Sequence, residues 1–174
     1  MIKRKMKSQF LSFKKGNVFL DTITVSVMLV IFGLFVFLGY IILDGFNEDF
    51  QADADMSVEA KEKLQTLEDS YPKTMDYLFL TFLVLFWISA IISSFAIDTH
   101  PIFFVLSIIL LIIVLIVGAE LSNSYQELAE ESFFQAEVFP IINWVLSNLV
   151  IMIVFIAISI IIALYAKSSS GGVI

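Results

Sequence analysis

Eighteen consecutive residues, Pro101 to Gly118 (PIFFVLSIILLIIVLIVG), carry no charge. At about 1.5 Å of rise per residue, a helix of this length comes close to crossing a hydrocarbon core of about 30 Å. In water such a run would have to be buried on every side, and a short chain has little else to bury it with. In a bilayer it needs only to satisfy its own backbone, which a helix does. The run therefore selects the solvent before it selects the fold.

Three further runs of the same kind surround it: Thr22 to Leu43, Thr74 to Ile97 and Ile141 to Ala166. The chain is 59% hydrophobic, with 18 Phe among 174 residues and a mean hydropathy of +0.95, against about 45–50% apolar for soluble domains. The expected fold is all-α, a four-span transmembrane helical bundle with helical extramembrane extensions. Residues 22–166 form its membrane domain, residues 1–21 a basic N-terminal arm and residues 167–174 a flexible Ser/Gly tail. The lipid bilayer is the first partner this composition implies.

The connections carry the remaining pattern. Residues 44–74 hold nine acidic residues and three lysines. Ser57 is placed to cap a helix with Glu59 in its first turn. Ala60, Leu64, Leu67 and Tyr71 then recur at helical spacing as one apolar stripe, and Pro72 breaks that helix or starts the next. Asp98-Thr99-His100-Pro101 reads as a tight inner turn with helix-start chemistry, which makes the second and third spans antiparallel neighbours. His100 there reads as a capping or headgroup-facing side chain.

The third helix outruns the membrane to about Glu131. Leu121, Tyr125 and Leu128 lie on one face of the extension and are the expected partners of the Leu64–Leu67–Tyr71 stripe. The second outer connection, 120–140, has five glutamates and no basic residue. Pro140 suits the first turn of the last helix.

Within the spans, small and amide side chains mark candidate helix-packing positions: Ser89 and Ser93 in the second, Asn143 and Asn148 in the fourth. Gly33 and Gly39 are six apart, which is not the GxxxG spacing. Lys3, Arg4, Lys5, Lys7, Lys14 and Lys15 lie before the first span and Lys167 after the last, whereas the outer loops hold three lysines and fourteen acidic residues. Retention of positive charge on the cytoplasmic side then places both termini inside.

Catalytic chemistry is not indicated. There is no cysteine, a single histidine, no glycine-rich phosphate loop and no HExxH motif, so neither an enzyme nor a bound cofactor or metal is expected. No span carries a charge in its central turns, the usual mark of an ion or proton pathway. Two classes remain: a structural membrane protein that assembles with copies of itself or with other membrane proteins, and a holin-like pore-former. A pore needs a polar helix face, and the fourth span has Asn143, Ser147 and Asn148 only toward one end.

Three segments, Gly16-Asn17-Val18-Phe19-Leu20-Asp21-Thr22, Gln51-Ala52-Asp53-Ala54-Asp55-Met56-Ser57 and Asp98-Thr99-His100-Pro101-Ile102-Phe103-Phe104, resemble small multi-span membrane proteins of tailless membrane-containing viruses and related mobile elements. The resemblance covers residues 16 to about 131. It implies a virion membrane protein beneath a capsid, linking bilayer to capsid or DNA. Lys3, Arg4, Lys5, Lys7, Lys14 and Lys15 would then meet DNA phosphate or anionic lipid without sequence preference.

Overall fold

The structure is a computed structural model and describes residues 18–96, 101–131 and 134–170. The basic arm residues Lys3, Arg4, Lys5, Lys7, Lys14 and Lys15, the turn at Asp98–His100 and the end of the tail lie outside them. The described residues are helical almost throughout, without strands: α1 Val18–Ala52, α2 Val58–Ala96, α3 Pro101–Ala129, a 3-10 turn Ala136–Val138, α4 Pro140–Ser147 and α5 Leu149–Ser170. Three helices, α1 to α3, are long and apolar enough to cross a membrane, and α4 with α5 adds a fourth as a bent pair.

At 35, 39 and 29 residues, α1, α2 and α3 are about 52, 58 and 43 Å long. All three therefore project beyond a 30 Å core, and all do so at the acidic end. Residues 44–52 of α1 and 58–73 of α2 form an antiparallel hairpin outside the apolar stretch. Ser57 caps α2 as its position suggests: its Oγ accepts from the Ala60 N–H at 3.3 Å, and Glu59 pairs with Lys63 one turn on.

Pro72 neither breaks nor starts a helix; it sits inside α2. Proline forfeits one backbone bond, and the neighbours hold the helix through that point. Tyr71 stacks on Tyr40 with ring centroids 6.2 Å apart, and its hydroxyl donates to the Val36 carbonyl at 3.3 Å.

Two antiparallel hairpins, α1 with α2 and α3 with α5, lie side by side so that α1 packs on α3 and α2 on α5. The consecutive helices α2 and α3 are thus not the neighbours that the short connection suggested; they occupy opposite corners. Five Cα steps can reach up to about 17 Å, so a short link does not force adjacency. The stripe partner also differs from expectation. Tyr71 packs on α1 and Leu67 stays half exposed, while Tyr125 of α3 packs on Phe37 of α1 at 6.1 Å.

Packing is concentrated at the outer end. Phe37 and Phe139 are fully buried there, with centroids 4.9 Å apart and rings edge to face. Phe134, Tyr40 and Tyr71 complete the cluster. Toward the inner end the core thins to separate small groups, Ala90 with Ile156 and Ile160, and Val114 with Ile153. Gly118 allows the approach of α5: a Cβ there would collide with the end of Ile153.

Candidate functional site

The fourth span is not the single straight helix expected over Ile141 to Ala166. It turns by 76° between α4 and α5, at Asn148, whose backbone leaves the helical region at φ −121°, ψ 33°. Neither Pro nor Gly lies between residues 141 and 170, so the commonest local causes of a kink are absent. The bend is made by bonds to other helices.

The first is at the start of α4. Pro140 occupies the first turn, and the side chain of Phe139 cannot cap. Asp76 of α2, only 3% exposed, supplies the missing acceptor. Its two carboxylate oxygens accept from the Ile141 and Ile142 N–H groups, each at 3.0 Å. Orphan donors at a helix start attract an anion both by hydrogen bonding and through the helix dipole; here the anion comes from a residue 65 positions earlier.

The second is at the end of α4. A straight helix would direct the Ser147 carbonyl to the Ile151 N–H. Instead that carbonyl accepts from the Ser122 hydroxyl at 2.6 Å and from the Gln126 side-chain amide at 2.9 Å. Next to it, the Tyr125 hydroxyl donates to the side-chain amide oxygen Oδ1 of Asn143 at 3.1 Å, and the Ser147 hydroxyl donates to the same oxygen at 3.3 Å. α4 is held at its start by α2 and at its end by α3.

The segment 134–139 joins this assembly to α1. Gln135 takes a left-handed backbone, φ 44°, and its amide donates to Asp44 at 3.3 Å. Asp44 stands beside the hairpin's polar seam, where Asn47, 6% exposed, donates to Gln65 at 2.9 Å and to Glu68. Partial burial, and then the nearby Asp44 carboxylate, hold the Glu68 carboxyl above its ordinary range against the opposing pull of the Asn47 amide. Lys61 closes the hairpin tip, donating to the Gln51 carbonyl at 2.8 Å.

Exposed aromatics give the depth of the site. Tyr77 and Trp144, both more than half exposed, ring the outer end, and Tyr165 is exposed near the other end of α5. Tyr and Trp favour the membrane–water interface. α4 therefore lies at the membrane–water interface on the side of the acidic connections, and with α5 it makes up the fourth candidate span as a bent pair.

The candidate packing residues divide. Asn143 bonds to α3 as described. Asn148 marks the bend, and its side-chain amide turns back to the Trp144 carbonyl at 2.8 Å rather than across to another helix. Ser89 and Ser93 are exposed in the single chain, while Ala90 and Ser94, one position further along, face inward. One residue on a helix is a rotation of about 100°, enough to move the serines off the buried face.

Asp76, Ser122 and Gln126 were not singled out as site residues by sequence reasoning. The available signal was Asp76 itself, a carboxylate at the edge of an apolar run, where an ionisable group needs a partner. Among the described residues, no group of three His, Cys, Asp or Glu side chains is arranged to hold a metal. Comparison of the chain with protein-family models, with curated proteins and with solved structures returns no match.

Proposed function

We propose that this chain is a structural integral membrane protein that holds a rigid helical hairpin at a fixed angle outside the bilayer. The observation that carries the reading is where the polar side chains of the membrane domain are engaged. Asp76, Ser122, Tyr125, Gln126, Asn143 and Ser147 all make intrachain bonds that fix α4. They bind the outer end together rather than lining a path through it. The aromatic cluster around Phe37 and Phe139 stiffens the same end.

Self-association belongs to this reading. Ser89 and Ser93 present small side chains on an exposed face of α2, where a second copy can approach closely. The viral resemblance adds a setting: a virion membrane, with the outer hairpin toward neighbouring proteins and the basic arm, on the other side, toward DNA or anionic lipid.

Reconstitution into dye-loaded liposomes tests the structural role. Retention of dye at all protein-to-lipid ratios is the expected outcome; leakage that rises with protein concentration would replace this reading with the holin-like one. For the viral setting, the protein should co-purify with lipid-bearing particles of its source, and its absence from them removes that part.

A further inference from the structure

A cleft of about 400 Å³ opens at the outer interface, between the start of the apolar stretch of α2 and the segment leading into α4. Tyr77, Val138, Pro140 and Ile141 supply apolar wall, and Asp69, Lys73 and Asp76 supply the charge. Asp76 is committed to the Ile141 and Ile142 N–H groups. Asp69 and Lys73 are both exposed, four residues apart on one helix and hence on one face, at a Cβ separation of about 6 Å. Of the three outer lysines, Lys61 is bonded to Gln51 and Lys63 to Glu59, both high on the hairpin. Lys73 stands one helical turn outward of the exposed Tyr77.

We propose that this cleft seats the headgroup of a zwitterionic phospholipid, with the phosphate on Lys73, the headgroup ammonium on Asp69 one turn outward, and the chains descending past Tyr77 and Ile141. The inference rests on the membrane-protein reading and adds a lipid preference to it. Charge decides the class. One ammonium beside two carboxylates leaves the cleft net negative, which disfavours a headgroup carrying phosphate alone and favours one that also ends in a cation. The depth agrees, because a cleft bordered by interfacial aromatics lies at headgroup level.

The test is lipid retention by the full chain, purified in mild detergent and exposed to an equimolar mixture of phosphatidylethanolamine and phosphatidylglycerol, read by native mass spectrometry. Wild type should retain phosphatidylethanolamine in preference by about fivefold, the scale of one partly exposed charge contact. Lys73→Gln should abolish retention of both lipids at this site, and Asp69→Asn should reverse the preference toward phosphatidylglycerol. Both side chains are exposed, so helicity by circular dichroism and elution volume should stay at wild-type values, which separates loss of the site from loss of the fold. Equal retention of the two lipids by wild type, or a preference that survives both substitutions, overturns the proposal. Dye leakage in the liposome experiment would reject the structural role without touching this outcome, because a pore-former can hold a headgroup equally well.

Discussion

Asp76 shows how much one residue can hold in place. A carboxylate with no cationic partner is expensive near a bilayer, and two backbone N–H groups at a helix start are a sufficient substitute. Asp76→Ala leaves the buried Ile142 N–H and the partly buried Ile141 N–H unpaired, at a cost of about 1–3 kcal/mol for the first and less for the second. Asp76→Asn keeps one acceptor and should lose roughly half as much. Thermal unfolding in detergent checks the order: wild type, then Asn, then Ala. Glu68 gives a prediction with the opposite pH sense to most carboxylates. Because its folded carboxyl titrates above its ordinary range, the folded state binds the proton more tightly than the unfolded state. Its stabilising contribution is therefore complete below the ordinary glutamate range and lost as pH rises through the folded value. Wild type should gain more stability than Glu68→Gln on going from pH 7 to pH 5, measured by parallel melts of the two proteins. An equal gain would show that burial and the neighbouring carboxylates do not raise the folded Glu68 carboxyl above its ordinary range.

At the scale of elements, the bend between α4 and α5 should depend on α3. Ser122→Ala with Gln126→Ala removes both donors to the Ser147 carbonyl and leaves the Ile151 N–H as its nearest alternative. The expected result is a straighter α4–α5, seen as a changed spin-label distance between the exposed positions 77 on α2 and 144 on α4; an unchanged distance would mean that the Asp76 contact alone sets the angle. This is also where sequence reasoning stopped. Helix existence was legible from apolar runs, and the Ser57 cap and the helical start at Pro140 from local chemistry. The bend was not, because Asn148 has no Gly or Pro beside it and its cause lies on α2 and α3. Pro72 misled for the converse reason: a residue that breaks isolated helices sits in one that Tyr40 and Val36 support from outside. Ser89 and Ser93 were read from small residues at i and i+4, a spacing that marks a face but not the neighbour it meets, which needs the phase of the helix against the others.

For the molecule as a whole, the four-span plan was legible and the neighbour relations were not. Spacing and hydropathy count helices, but the corner each one occupies depends on side chains such as Phe37, which reaches Phe134, Phe139 and Tyr125 together. Truncating this hub, Phe37→Ala, should cost about 3–5 kcal/mol through the cavity it leaves, against under 1 kcal/mol for the lipid-facing Phe35→Ala; chemical unfolding in mixed micelles compares the two. If α4 and α5 together make one crossing, the number of crossings is even, and both ends of the chain should be protected together from an impermeant label in sealed vesicles, while Asp53→Cys or Asp55→Cys reacts. Labelling of just one end would mean that the bent pair does not cross and that only α1 to α3 do.

The side-by-side placement of the two hairpins has a consequence for biosynthesis. Each hairpin is already paired within itself, so the first can be inserted and stay in the bilayer while the second is still being translated. What the late hairpin brings is the unfilled start of α4, and what the early one offers is a carboxylate waiting for it. A chain divided between residues 97 and 100 and expressed as two pieces should therefore reassemble into one particle, with Asp76 as the recognition element between them. The same pieces carrying Asp76→Ala should be recovered apart.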